Sequence, residues 1–402
     1  MRALHGIKVV DLTRVVAGPF CTYQLALLGA ECIKIEEVGT GDPVRWSGAG
    51  SNTHYRKHGM ATNFLPQNAN KRSLTLNLKH DEGRKIFLKL VESADVVVEN
   101  FRAGVMDKLG IGYGQLRTTH PRLIYCAMTA YGQNLPKREH TAYDGVVQAA
   151  SGMMSVIGTK DTGPLKVGPP ITDYATGMAA AFAISSALFQ RERDGSGQYI
   201  DVSMLDTALT LMSSYVTDYF CTGNVPAQRG NEPASRSPSA GTYDTRDGKL
   251  TLGANEEHQH RRLCNALGLA HVLTDPRYAE IEERRNNCDE LHGEFAQVLM
   301  TRTAEEWETV LNAAGVPASR IRTVGEILQH PQVTQRGVLH TFPKVSGIDR
   351  DVTVLLSPFK LAHDGPQATQ PPPQVGEHTD KILQEIGYDT AAIARLRRDG
   401  VI

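Results

Sequence analysis

The stretch IKVVDLTRVVAGPF (residues 7–20) reads as three pieces in a row: an apolar, β-branched run that suits a strand, a short polar turn, and a Gly-Pro pair that opens a helix. The pattern repeats through the first half of the chain. ECIKIEE (31–37), SLTLNL (73–78), DVVVENF (95–101) and RLIYCAMTAYG (122–132) are further strand-like runs. CTYQLALLGA (21–30) and DEGRKIFLKLVESA (81–94) carry helical spacing between them. Strands alternating with helices predict an α/β fold, a Rossmann-like parallel sheet covered by helices. Ligands of such sheets lie outside the carboxyl ends of the strands, so the loops TRVVAGPF (13–20), VGTGDPVRW (38–46) and ENFRAGV (99–105) are the places to look.

A long Ala-rich helix beginning near Asp173 and a last strand-like run, GQYIDVSM (197–204), close the first part. The composition then shifts to Gly, Pro, Ser and Arg in AQRGNEPASRSPSAGTYDTRDGK (227–249). Three segments follow from this: a large α/β domain over 1–225, a smaller α+β domain over 226–330, and a C-terminal segment over 331–402. The small domain opens on a strand pair, GTYDTRDGKLTLGA, turning at Asp247-Gly248.

With 402 residues, 41% apolar and 22% charged, the chain affords a large core. Its 43 Lys and Arg against 44 Asp and Glu give no overall field for nucleic acid or an anionic membrane. The six cysteines are scattered without a CxxC pair, which suits reduced thiols in a cytoplasmic protein. No apolar run reaches membrane-spanning length. P-loop, GxSxG, HExxH and post-strand GxGxxG fingerprints are all missing, which argues against nucleotide hydrolysis, serine hydrolysis, zinc proteolysis and standard dinucleotide binding.

Four features carry candidate chemistry, each beside a plainer reading. The AGPF turn presents helix N–H groups to an anion, or is an ordinary strand-to-helix turn. In NANKRSLTLNLK (68–79), Lys71 and Arg72 precede a strand and Lys79 follows its carboxyl end, either facing a ligand or merely solvated. In ENFRAGVMDKLG (99–110), Phe101 suits stacking on a planar base and Arg102 and Lys108 suit phosphates, although a core Phe and surface cations read equally well. Asp173 stands at the start of the Ala-rich helix, where a carboxylate serves as a cap or, held in one direction, as a nucleophile. Spacing alone leaves both roles open.

Taken in order, GIKVVDLTRVVAGPF, GAECIKIEEVGTGDPVR, NANKRSLTLNLK, ADVVVENFRAGVMDKLG, YDGVVQAASGMM, TDYATGM and GVPASRIRTVGEILQHPQVTQRG resemble the class III CoA-transferases, the CaiB/BaiF family, and the likeness runs on to VGEHTDKILQEIGY near the C-terminus. The resemblance implies that Asp173 is the nucleophile and that CoA is contacted at Val16, Ala17, Leu76, Asn77, Leu78, Lys79, Asn100, Phe101, Arg102, Lys108 and Tyr143. It implies CoA and acyl-CoA as substrates beside a short carboxylic acid, with no metal and no tightly bound cofactor. It also implies an interlocked homodimer in which the C-terminal segment returns to the large domain. Two departures stand out: Glu37 replaces an Arg expected after IKIE, with Lys34, Lys71 or Arg72 at hand to substitute for it, and the glycine-rich lid of the formyl-CoA transferases is missing around LGANEEHQH (252–260). For a dicarboxylic substrate, Arg45 and the SRSPS segment (235–239) offer cations. The related 2-methylacyl-CoA racemases are the alternative; they place a His where this chain has Tyr143, with His140 nearby, and a phenol is a poor base at neutral pH. A CoA-binding protein without activity would need no Asp173.

Overall fold

The computed structural model describes residues 1–48, 52–134, 136–233 and 235–402. Its main sheet has six parallel strands: β1 (Lys8–Asp11), β2 (Glu31–Glu36), β3 (Lys71–Thr75), β4 (Val96–Glu99), β5 (Ile124–Thr129) and β6 (Gln198–Ser203). They lie in the order β3–β2–β1–β4–β5–β6, so the winding reverses beside β1 as in doubly wound Rossmann-like sheets. All six strand-like runs of the sequence are present. β3 starts at Lys71, which places Lys71 and Arg72 inside the strand and corrects the expectation that they precede it.

Successive strand residues serve opposite faces. Val9, Cys32, Val98 and Cys126 meet α1 (Ala17–Leu27) and a long later helix over 171–194, whereas Val10, Val97 and Tyr125 meet α2 (Asp81–Val91) and the C-terminal helices through Phe87, Ile382 and Ile393. Because both faces are covered, the strands read as continuous apolar runs.

The chain divides into two compact units, one of residues 1–154, 166–224 and 334–402, the other of 155–165 and 225–333. Residues 155–165, which the composition shift left with the large part, cluster with the second unit: Gly158–Thr159 pairs with Gly163–Pro164, and Gly158 O accepts the Gly230 N–H at 2.7 Å. The second unit holds an antiparallel sheet of β7 (Ala240–Asp244), β8 (Lys249–Gly253) and β9 (Ala318–Arg320), with β8 central and a turn closed by Thr245 N–H to Gly248 O at 2.8 Å. Helices pack on it through Leu263, Phe295 and Trp307. In the first unit a C-terminal hairpin, β10 (Leu339–Val345) and β11 (Arg350–Leu355), packs Phe342, Val352 and Val354 against Tyr23 and Phe64.

A buried ionic network runs from the amino end of β3 at Lys71, through Lys34 within β2, to Asp11 and Glu36 at the carboxyl ends of β1 and β2. Asp11 accepts the Thr13 N–H at 2.9 Å, the hydroxyls of Thr13 and Thr22, and Lys71 Nζ at 3.0 Å. Burial alone would raise the Asp11 carboxyl, but Lys71, Lys34 and the two hydroxyls outweigh it and hold the group below the ordinary carboxylate range. Lys34 pairs with Asp42 at 3.0 Å and donates to Thr13 O at 2.8 Å. Glu36 grips Arg45 through bonds of 2.8 and 2.7 Å, and Arg45 also donates to Gly59 O and Pro373 O and lies over the Phe64 ring. Arg45, Lys34 and Lys71 are therefore structural. They are not the ligand cations that the sequence offered. Arg72 is likewise engaged, by Glu31 at 2.9 Å and Glu385 at 2.7 Å.

Breaking a buried pair strands the remaining charge, whereas breaking a surface pair does not. Lys71→Met is accordingly expected to cost about 3–5 kcal/mol in denaturant unfolding. Arg72→Met, on the same strand with exposed partners, is expected to cost about 1 kcal/mol or less. Equal losses would contradict the network's role.

Candidate active site

The loops that leave β1 and β4 are neighbours at the point where the sheet reverses, and Asn100 ties them together. Its Oδ1 accepts the Arg14 N–H at 2.8 Å and its Nδ2 donates to Arg14 O at 2.7 Å. Val15 follows with φ +71, a strained value for a β-branched residue. Two bonds hold it there: its N–H meets Asp42 Oδ1 at 3.2 Å and its carbonyl accepts Gln67 Nε2 at 2.9 Å. The sharp turn lets α1 begin at Ala17 behind Val16, without a side-chain cap, so the first-turn N–H groups stay available to an anion.

The second element is α4 (Ile171–Asp194), with Asp173 in its first turn. α4 crosses α1 at Gly177, where a Cβ would lie 2.6 Å from Ala17 O and 3.0 Å from the Phe20 ring. Only glycine allows this approach, which sets the amino ends of the two helices side by side. Tyr174 closes the contact, its ring edge-on to Phe20 with centroids 4.8 Å apart.

Asp173 does not cap its own helix. That task falls to Asp144, the first residue of α3 (Asp144–Ala150), which is buried. Asp144 Oδ2 accepts the Thr172 N–H at 2.8 Å, the Thr172 hydroxyl at 2.6 Å and the Asp173 N–H at 3.3 Å. Its Oδ1 accepts Gln148 Nε2 at 2.6 Å, and Gln148 Oε1 in turn accepts the Val167 N–H at 2.8 Å. The Asp173 side chain has no hydrogen-bond or ion-pair partner among the described residues. Burial first, and the Asp144 charge second, push its carboxyl up to about 7. A half-buried carboxylate without a structural partner and with enhanced basicity suits nucleophilic attack.

The sequence profile of CoA-transferase family III matches residues 4–379. The chain belongs to this family. An acyl-CoA transferase of Fusarium pseudograminearum is 37% identical, over 100% of this chain and 88% of its own. A succinyl-CoA:glutarate CoA-transferase of Mus musculus is 34% identical, over 100% and 91%. The crystal structure of a CaiB/BaiF family protein from Brucella suis shares 31% identity at a TM-score of 0.84, covering 96% of this chain and 99% of that one. The chain is thus an enzyme that transfers CoA between an acyl-CoA thioester and a free acid.

In this family III enzyme the residues singled out in the sequence fall into two groups. Val16, Ala17, Asn100, Phe101 and Asp173 sit on the elements joined by Asn100 and by the Gly177 crossing. Phe101 is partly buried, with the Arg14 guanidinium 5.1 Å from its ring, while Arg102 and Lys108 are exposed and form no ion pair among the described residues. Leu76 to Lys79 follow β3, at the sheet edge two strands away. Leu76 is buried with its N–H on Glu36 O, the Asn77 N–H meets Val401 O, Leu78 packs on the core, and Lys79 is exposed. Tyr143 is 71% exposed and next in sequence to Asp144. His140 lies edge-on to Tyr131 at 6.2 Å. The sequence reading missed Arg14 and Gly177. From the sequence, Asp144 beside Tyr143 reads equally as an acid that orients the site or as a plain turn acid, because its partners lie 28 and 29 residues ahead.

Only the ionised Asp173 attacks, so turnover is expected to rise with pH through about 7 and level off above it. Asp144→Asn removes the charge that helps raise Asp173. It is expected to move the acid limb to lower pH while lowering the plateau, because an amide cannot accept every bond Asp144 now accepts. A pH–rate profile checks both, and an unmoved limb in Asp144→Asn would contradict the electrostatic coupling.

Proposed function

We propose that Asp173 is the covalent nucleophile of the transfer. Its carboxylate oxygen attacks the thioester carbonyl of the donor, and the tetrahedral intermediate collapses by breaking the C–S bond, giving a mixed anhydride and CoA thiolate. The thiolate attacks the Asp173 carbonyl, releasing the donor acid as a carboxylate and leaving an aspartyl-CoA thioester. The acceptor carboxylate attacks that thioester, forming a second anhydride and freeing the thiolate. The thiolate then attacks the acceptor carbonyl, which yields the new acyl-CoA and restores the Asp173 carboxylate. Electrons and protons balance without an oxidant or a metal. The observation that carries this reading is the unpartnered Asp173 carboxylate beside an Asp144 that has taken over the cap.

CoA would run from Asp173 over the amino end of α1 toward the loop after β4, with Val16, Ala17, Asn100, Phe101, Arg102 and Lys108 along its path. Arg14 is a better substitute than Lys34 or Lys71 for the cation absent at Glu37, since it is partly exposed, lies 3.9 Å from Glu37 and stacks over Phe101. Leu76 to Lys79 and Tyr143 complete the expected contacts. Dicarboxylic acids are the substrate class we favour, because the mouse relative is named for succinyl-CoA and glutarate.

A homodimer is part of this reading. Met178, Phe182 and Phe189 form an exposed apolar stripe along α4, with Phe182 76% exposed, and Phe220 nearby in sequence is 82% exposed. Surfaces of this kind are normally covered.

Three measurements check the proposal. Asp173→Asn is expected to lose transfer while still binding CoA, and to melt above the wild type at alkaline pH, because a carboxyl raised by folding costs stability once ionised. Hydroxylamine added after an acyl-CoA should convert Asp173 of the wild type to a hydroxamate detectable by mass spectrometry. Wild-type transfer by the Asn variant, or no adduct during active turnover, would refute the covalent role. Light scattering at micromolar concentration is expected to give twice the chain mass, and a monomer would refute the dimer.

A further inference from the structure

Glu99 closes β4 directly below the loop Asn100–Arg102, and the steps proposed for Asp173 make no use of it. It is buried, and its Oε2 accepts the Phe101 N–H at 2.8 Å, so the side chain turns back to brace the residue two places ahead. Its Oε1 lies 3.5 Å from the Tyr125 hydroxyl, at the outer limit of a hydrogen bond. Tyr125 and Tyr199 stack with centroids 5.9 Å apart, and Tyr113 lies 5.0 Å from Tyr199. The charged groups acting on Glu99 are Asp107, in the turn that follows the loop, and Asp201 on β6. No Lys or Arg pairs with Glu99 among the described residues.

We propose that Glu99 is a positioning residue for CoA: as a neutral acid it braces the Asn100–Arg102 loop through the Phe101 N–H without placing a negative charge beneath the phosphates that Arg102 and Lys108 attract. The proposal rests on reading that loop as a CoA contact. Three features favour the neutral form. The carboxyl is buried, the charges acting on it are those of two acids, and its one strong bond is to a backbone N–H that a protonated carboxyl can still satisfy through its carbonyl oxygen. Burial accordingly pushes Glu99 up to about 8, and Asp107 and Asp201 add to the rise against the Phe101 and Tyr125 bonds. Above that value a buried anion appears under the loop and repels the phosphates. CoA affinity should therefore fall as Glu99 ionises.

The test uses a thioether analogue of an acyl-CoA, which cannot be attacked and carries no thiol to titrate. Its dissociation constant is measured by calorimetry at about pH 7 and about pH 9, either side of the Glu99 transition, in the wild type, Glu99→Gln, Glu99→Ala and Arg102→Ala. The wild type is expected to bind about three- to tenfold more weakly at the higher pH. Glu99→Gln, a permanently neutral group that keeps the acceptor, should lose that dependence. Glu99→Ala should bind about tenfold more weakly at both values, because the Phe101 N–H loses its acceptor. If Glu99→Gln keeps the wild-type fall, the proposal is wrong even with the CoA reading intact. If Arg102→Ala binds as tightly as the wild type, the CoA reading of the loop fails first. An infrared band of a protonated carboxyl, present in the wild type near neutral pH and lost in Glu99→Gln, supports the neutral form without any activity or ligand, and its absence overturns it.

Discussion

A carboxylate in the first turn of a helix is ordinarily spent on that helix, accepting N–H groups that the turn cannot pair. In α4 these groups are met from outside by Asp144, whose Oδ2 takes the N–H groups of Thr172 and Asp173 together with the Thr172 hydroxyl. Asp173 is thereby released from structural work, yet stays fixed in direction by the helix that carries it. The same contact places one carboxylate near another, and with burial it lifts Asp173 to about 7. A more basic carboxylate is a stronger nucleophile, while at neutral pH a large share of it remains ionised. The arrangement thus trades some stability for reactivity.

The remaining parts bring this residue to its ligand. The Gly177 crossing aligns the amino ends of α1 and α4, Asn100 ties the loops after β1 and β4, and the strained turn at Val15 is held by Asp42 and Gln67. Beneath them the pairs Asp11–Lys71, Lys34–Asp42 and Glu36–Arg45 fix the carboxyl ends of β1 and β2 and tie them to the start of β3. A strained loop persists only where its surroundings over-determine it, and this network supplies that constraint. Together they make a rigid floor for a family III CoA-transferase.

The parallel sheet was legible in the sequence because its strands are buried on both faces and read as unbroken apolar runs between amphipathic helices. The loops after β1 and β4 followed from the rule that ligands gather at the strands' carboxyl ends. Asp173 was visible as a residue with two possible roles, and the resemblance to the family favoured one of them. What the sequence hid were partners distant along the chain. A lysine beside a strand reads the same whether it meets solvent, a ligand or an aspartate 60 residues away, so Lys71 read as a ligand cation or a solvated one and proved to be half of a buried pair. Arg45 misled for the same reason. Asp144 read equally as a site-orienting acid or a turn acid, because the helix it caps begins 27 residues further on. Gly177 sat unremarked in a run of small residues, since a close helix crossing leaves no local periodic signal.

Covalent transfer through Asp173 leaves an oxygen of the acceptor acid on that residue. It is tested most directly by running the reaction with an acceptor acid labelled in its carboxylate with a heavy oxygen isotope, then measuring the mass of the peptide that contains Asp173. When the acceptor attacks the aspartyl-CoA thioester and the thiolate then attacks the acceptor carbonyl, one acceptor oxygen is left on Asp173. The heavy isotope is expected to accumulate in that residue with turnover. Formation of the new acyl-CoA with an unlabelled Asp173 would contradict it.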